Sequence, residues 1–295
     1  MYFNILRFRN GRYAWYAIGL LTASLILYIT QETSKPPSGS TWQGYVLGTI
    51  AALLIAWLTL LGVRKRRYGG SGDVQTWVSA HVYLGVALLG IALFHSAGQL
   101  GWNIHAATFI LMVVVIVSGI FGMSLYLLLP RQMSQNRNGR SRNELFEELG
   151  RLNQSCMALS AKCAPATELA VQSSITGTTI GGGLLAQLLA RDRSTFLGAA
   201  DVHDLDATRP VPNGGQNKIL EYVAERAPRV KEGSEADALP ALVSLIARRQ
   251  KLLRRIRKDI QLQGWLEVWL YLHVPVSIAL LVALIIHIIV VFLYW

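Results

Sequence analysis

Five long apolar stretches interrupt an otherwise polar chain. They cover residues 14–30, 44–63, 76–98, 105–129 and 265–295. Each reaches the roughly 17–25 residues that an α-helix needs to cross about 30 Å of hydrocarbon. The pattern therefore predicts an all-α integral membrane bundle of five transmembrane helices. The first stretch lacks a small-x-small cleavage site, so we expect a retained helix rather than a signal peptide.

The segment between the fourth and fifth apolar stretches is mixed and charged, and it divides the chain into three predicted regions. Residues 1–129 hold transmembrane helices one to four, and residues 265–295 form helix five. Residues 130–264 are predicted to form a mostly helical cytoplasmic insertion between helices four and five.

Several local signals favour helix within this insertion. Ser141 and Glu144 form a capping-box pattern, which marks the start of a helix. Shorter helices are expected at residues 184–189 and 219–223, where apolar residues cluster. Glycine and proline runs at 181–183 and 210–215 predict loops.

The basic residues give an orientation. Of the 28 Lys and Arg residues, all but Lys35 precede the first span or lie between spans two and three or four and five. Because positive charges near helix ends stay in the cytoplasm, the N-terminus is predicted to be cytoplasmic and the C-terminus outside a bacterial-type inner (plasma) membrane. The net charge of +11 is thus a topology signal. No basic face with interleaved aromatic residues suggests nucleic-acid binding.

A strongly basic helix is predicted from Leu239 to Lys258, directly before span five. One interpretation is an interfacial helix that binds anionic membrane lipid headgroups. The other is a docking surface for an acidic redox partner.

Four histidines carry the strongest chemical signal. His81 and His95 lie in span three, and His273 and His287 lie in span five. Both pairs are 14 residues apart, which leaves the two side chains about 40° apart on one helix face and about 21 Å apart along it. Spans three and five run in the same direction. We therefore expect His81 to face His273 near the cytoplasmic side and His95 to face His287 near the outer side.

Paired histidines at two depths suit two flat cofactors. Neutral imidazole is a good axial ligand for haem iron, and two of them leave no open position for oxygen, which favours electron transfer. A proton relay or transition-metal site is the alternative. A satisfied polar contact between helices could explain a single intramembrane histidine, but such residues are expensive and usually functional. The two cysteines, Cys156 and Cys163, are too few for an iron–sulfur cluster and lack the covalent haem motif.

Other residues have weaker signals. Arg64, Arg66 and Arg257 lie where the propionates of an inner haem would be, although each also fits a residue that only sets orientation. His105 could line a quinone pocket or an electron exit, or it could be an exposed interfacial histidine. His203 lies among aspartates and could bind a cation, or it could belong to a solvated acidic loop.

At these four histidines the chain resembles the membrane cytochromes b that carry H-x13-H on two helices. That group includes subunits of quinol-oxidising complexes, hydrogenase and dehydrogenase anchors, and ferric-reductase or NADPH-oxidase membrane domains. The ferric-reductase type is most similar in layout, since its histidine pairs lie on helices three and five. The chain departs from it by ending after helix five, without a sixth helix or flavin and nucleotide module.

The resemblance implies a di-haem b-type subunit of an oxidoreductase complex. Its cofactors would be two bis-histidine haems b, with a quinone as a further candidate, and its partners would be flavin, iron–sulfur or cytochrome proteins. Two alternatives are a stand-alone quinol or ferric reductase and a haem-free receptor or scaffold that recruits cytoplasmic partners.

Overall fold

The computed structural model describes residues 11–31, 38–67, 71–99, 101–198 and 209–293. At residues 61–67 and 71–75 it describes the backbone only. In chain order, the elements are α1 (Arg12–Ile29), α2 (Trp42–Arg67), α3 (Ser71–Ser96), α4 (Ile104–Arg137), α5 (Arg142–Ser160), α6 (Pro165–Thr176), α7 (Leu184–Leu188), β1 (Thr195–Gly198), β2 (Arg209–Pro212), α8 (Asn217–Arg226) and α9 (Ser234–Leu293). A 3₁₀ turn at Gly214–Gln216 precedes α8.

Five of these helices are long and apolar enough to cross a membrane: α1, α2, α3, α4 and α9. This agrees with the five predicted spans, and the chain is a multi-pass membrane protein. Outward-facing residues such as Trp15, Leu53, Val117 and Phe292 are large, apolar and more than half exposed. Such a surface is unfavourable in water and suits lipid.

The chain divides into two units. The bundle unit comprises the described residues up to Ser124 and from Trp269 onward, and the inserted unit comprises Leu125–Val268. The core of the bundle unit joins residues of α2, α3, α4 and α9, with α1 packed against it. Its buried members include Leu47, Ile91, Met112 and Leu280.

The inserted unit is mostly helical and has two apolar clusters. One cluster surrounds Phe196, Ile219 and Leu242, and the other joins α5 to α9 through residues such as Leu149 and Leu253. Burial of these side chains stabilises a compact unit, at about 25 cal/mol per Å² of apolar surface. The capping box predicted at Ser141 and Glu144 is present at the start of α5.

One local prediction was wrong. The loop expected at 210–215 begins with a strand, since β2 pairs antiparallel with β1 and places Val211 opposite Phe196. Both of these side chains are buried in the core. The two prolines of β2 hid the strand in the sequence, because proline is tolerated only in edge strands. A two-stranded ribbon has only edge strands.

The basic segment 239–258 also differs from the interpretation as an interfacial helix that binds lipid headgroups. It belongs to α9, a single helix of 60 residues that continues into the fifth span. Leu242, Ile246 and Leu253 are buried, and even Arg249 is only 2% exposed. The segment is therefore a central helix of the inserted unit, and Arg249 does not face lipid.

Candidate functional site

The histidine on α3 nearest its C-terminus is held against α2. His95 Nδ1 lies 2.8 Å from the backbone oxygen of Gly44. Because a carbonyl oxygen only accepts, Nδ1 carries the proton and Nε2 keeps its lone pair. A Cβ at Gly48 would come within 2.7 Å of His95 Cε1. Glycine at this position therefore makes room for the ring.

His287 on α9 lies between two other histidines. Its ring centroid is 6.2 Å from that of His95, with the ring planes 73° apart. On its other side, His287 Nδ1 and His105 Nδ1 are 2.7 Å apart, and these two rings meet edge to face. One of the two nitrogens donates and the other accepts. When His287 is the donor, its Nε2 keeps the lone pair that a metal ion needs.

His273 on α9 has a similar arrangement with α4. Its Nδ1 lies 2.7 Å from Ser118 Oγ, and that hydroxyl donates its proton to the Val115 carbonyl oxygen at 2.9 Å. The hydroxyl is therefore the acceptor for a proton on Nδ1, and Nε2 of His273 keeps its lone pair. A hydrogen bond that fixes the tautomer of an imidazole is what metal-ligating histidines usually have.

An aromatic side chain packs on this second histidine. The indole of Trp269 stacks on His273 with centroids 5.3 Å apart and planes 27° apart. Its Nε1 donates to the Ser118 carbonyl oxygen at 2.7 Å. The indole lies directly over Gly122, where a Cβ would approach it to 1.8 Å. This contact restricts how the His273 ring can turn.

His81 lies on α3, within the range at which His273 influences it electrostatically. The Nδ1 atom of His81 is buried and has no hydrogen-bond partner among the described residues, although the Leu58 carbonyl lies near the ring. A buried polar atom without a partner costs about 1–3 kcal/mol.

The bundle brings His95 and His287 together, as the sequence predicts. The pairing of His81 with His273 stays a prediction. The bundle also adds residues that the sequence analysis missed or left open. His105 contacts His287, and Ser118 contacts His273. The sequence contained a pattern that could have predicted both contacts. His105 and Ser118 are 13 residues apart on α4, and their partners are 14 residues apart on the antiparallel α9.

The spacing of His95 and His287 fits a metal ion held between two imidazoles. Imidazole nitrogens lie about 2 Å from a first-row metal ion, so two imidazoles on opposite sides of one ion have centroids about 6 Å apart. The 6.2 Å between His95 and His287 fits this spacing. Among the described residues, no group of three or more His, Cys, Asp or Glu could hold a metal ion. A two-histidine site needs its remaining ligands from a cofactor, and a porphyrin provides them.

The arginines predicted near haem propionates have different outcomes. Arg64 and Arg66 lie on α2, and their side chains fall outside the described part of the chain. Arg257 pairs with Asp192 at 2.6 Å within the inserted unit and also donates to Ser194 Oγ. Its role toward a propionate stays a prediction. His203 also lies outside the described residues.

Comparisons with family models, with curated proteins and with solved structures find no match for this chain. The function is therefore inferred from the geometry of the bundle unit.

Proposed function

We propose that the chain is a di-haem b-type cytochrome, a membrane subunit of an oxidoreductase complex. It would transfer electrons across a bacterial-type inner membrane, between a quinone or outer-side redox partner and a cytoplasmic one. In this proposal the N-terminus is cytoplasmic. His81 and His273 hold one haem b, and His95 and His287 hold the other.

One observation supports this proposal above the others: His95 and His287, two intramembrane histidines from different helices, have ring centroids 6.2 Å apart. In His95 and His273 the Nδ1 atom already makes a hydrogen bond, which leaves Nε2 as the metal-binding atom. Intramembrane ionisable groups are costly and usually functional. Four of them in two matched pairs are difficult to explain by helix packing alone.

A haem held by two histidines supplies one-electron transfer at an iron without an open coordination position. The residues of the chain have the complementary roles. Gly44 and Ser118 orient the imidazoles through Nδ1, and such outer hydrogen bonds also tune ligand basicity. His105 orients His287 in the same way.

The test is a dithionite-reduced minus oxidised spectrum with pyridine haemochrome quantitation, made on the protein purified in detergent. We expect two b haems per chain in the wild type and loss of one in His95→Ala. His105→Ala is the matched control, because it removes another histidine that contacts His287 but keeps both proposed ligands. We expect it to retain both haems after purification and to release the haem proposed at His95 and His287 faster, because only the hydrogen bond that orients His287 is lost.

Two results would overturn the proposal in different ways. A protein that stays colourless after reconstitution with haem would exclude a cytochrome and favour a receptor or scaffold. Loss of haem in His105→Ala but not in His95→Ala would show that His105, rather than His95, is the partner of His287. Co-purifying flavin or iron–sulfur proteins would support the subunit role over a stand-alone reductase.

A further inference from the structure

The short helix α7 exposes leucines that the described residues of the inserted unit do not cover. Leu184 is 47% exposed, Leu185 is 71% exposed and Leu189, which follows the helix, is 56% exposed. Large apolar side chains grouped on a polar surface usually mark an interaction site. The question is which partner covers them.

The position of α7 on α9 gives the first part of the answer. Gln261 Nε2 donates to the Leu188 carbonyl oxygen at 2.9 Å. Gly264 lies against the same residue, and a Cβ there would be 3.6 Å from Leu188 Cδ2. The apolar stretch of α9 begins at Trp265, one residue further along the same helix. Helix α7 therefore packs where α9 changes from polar to apolar.

Helix α4 supports the same boundary independently. Asn136 Nδ2 donates to the Arg255 carbonyl oxygen at 2.8 Å, which joins α4 to α9. The apolar stretch of α4 ends at Leu129, seven residues before this contact, and that of α9 begins ten residues after it. At 1.5 Å per residue, both helices become apolar about 10–15 Å from the same contact. This common level is where the length and composition of both helices favour a membrane boundary.

The charges beside α7 suit a membrane surface. Arg191 and Arg193 follow the exposed leucines in the chain and are themselves exposed. Interfacial segments combine apolar side chains, which enter the boundary between headgroups and acyl chains, with basic residues that meet anionic headgroups.

We propose that α7 is a membrane-interface anchor of the inserted unit, with Leu184, Leu185 and Leu189 inserted into the bilayer in which the protein is embedded. The occupant of this apolar surface is lipid, and no second protein is needed to cover it. The proposal is independent of haem binding, because none of its residues belongs to the histidine pairs.

The experiment places a fluorescent bimane probe on the full-length protein in nanodiscs of phosphatidylcholine and phosphatidylglycerol. Leu185→Cys is the test variant, in a background with Cys163→Ser and the buried Cys156 retained. Met157→Cys is the control, because Met157 is also exposed but lies far from the boundary. Its neighbour Cys156 belongs to the same apolar cluster as Ile246. Ile246 precedes Leu262, which lies at the level of α7, by 16 residues of α9, and is therefore about 24 Å further from the boundary.

We expect brominated lipids to quench the probe at Leu185→Cys severalfold more than at Met157→Cys, and aqueous iodide to show the opposite order. Leu184→Cys is a second test variant in case the first does not fold. Equal iodide quenching at both positions would overturn the proposal by showing that α7 faces water. A probe reached by neither quencher would overturn it in favour of a protein partner.

Discussion

The two units of this chain differ in whether their buried polar groups have hydrogen-bond or ion-pair partners. In the inserted unit, Asp259 is 1% exposed and contacts two guanidinium groups, those of Arg137 and Arg142. The buried Arg249 donates to three neutral oxygens, of Asn153, Gln216 and Thr178. In the bundle unit, by contrast, four residues have buried side-chain atoms without partners among the described residues: Ser24, Gln31, Ser79 and His81. In the described part of the inserted unit, Nε2 of Gln216 is the one such atom.

The buried charged side chains of the inserted unit have hydrogen-bond or ion-pair partners within the same unit. Burial lowers the pKa of Arg249 to about 10, but the side chain is still a cation at neutral pH. Burial alone would raise the pKa of Asp192, yet hydrogen bonds from Ser194 and Gly215, with the charge of Arg257, lower it overall. Almost every buried charge or dipole here has a partner within the unit. These groups therefore stabilise the fold and need no ligand.

The bundle unit differs because three of its histidines, His95, His273 and His287, have a hydrogen bond on Nδ1. Polar groups in an apolar medium need partners more than they do in water. Under the proposed function, the second nitrogen of these rings would bind the haem iron. The comparison of the two units then separates polar groups that stabilise the chain from those proposed to bind a cofactor.

The largest predicted effect tests the pairing of the histidines. We expect the double variant His81→Ala with His273→Ala to lose the same one haem as either single variant, because both residues serve one site. We expect His81→Ala with His95→Ala to lose both haems, because these residues serve different sites. Pyridine haemochrome quantitation against protein concentration measures the result.

The reverse pattern would contradict the pairing. If removal of His81 and His273 together empties both sites, the histidines do not form the two facing pairs that the bundle suggests. Circular dichroism of each variant provides the control that the helices are still formed.

The next largest effect is expected in the inserted unit. Asp259→Asn leaves Arg137 and Arg142 without their shared carboxylate. We expect a loss of about 3 kcal/mol in the free energy of unfolding, the low end for breaking a buried ion pair, because both guanidiniums are partly exposed. Thermal unfolding in detergent, followed by circular dichroism, measures the change.

Glu148→Gln is the matched control, since it breaks the exposed pair between Glu148 and Arg140. Exposed pairs contribute about 0–1 kcal/mol. The proposed haem content of the folded protein should stay unchanged in both variants. Equal destabilisation by the two substitutions would show that the burial of Asp259 has no energetic consequence.

The sequence predicted the spans and the approach of His95 to His287 because both depend on the regular geometry of helices. A helix has a fixed rise and turn, so the 14-residue spacing already places His81 and His95 on one face at two depths. The capping box at Ser141 was predictable for the same local reason.

Tertiary contacts were beyond this kind of reasoning. The strand β2 is apparent only when Val211 is seen opposite Phe196, and Arg249 looked like a surface cation until its three neutral acceptors were known. These acceptors come from segments up to 96 residues away in the chain. Likewise, Ser118 is an ordinary small residue in an apolar helix until α9 brings His273 beside it.

The smallest predicted effect concerns this contact of Ser118. Ser118→Ala removes the hydroxyl that accepts the His273 Nδ1 proton, and the change leaves both proposed ligands of that haem in place. Loss of such an outer partner lowers metal-site affinity by about 10- to 100-fold, or about 1.4–2.8 kcal/mol. We therefore expect haem to transfer faster from this variant to excess apomyoglobin, in the phase that belongs to the His81–His273 site.

Ser124→Ala is the matched control for Ser118→Ala. It removes a hydroxyl from the same helix, but that hydroxyl donates only to the Ile120 carbonyl oxygen and contacts no histidine. Equal transfer rates in the two variants would mean that the Ser118 hydroxyl does not organise His273. Faster transfer in Ser118→Ala alone would show that a hydrogen bond present in the chain itself prepares this imidazole for its ligand. It would also explain why the bundle unit can leave the opposite side of the ring without a partner.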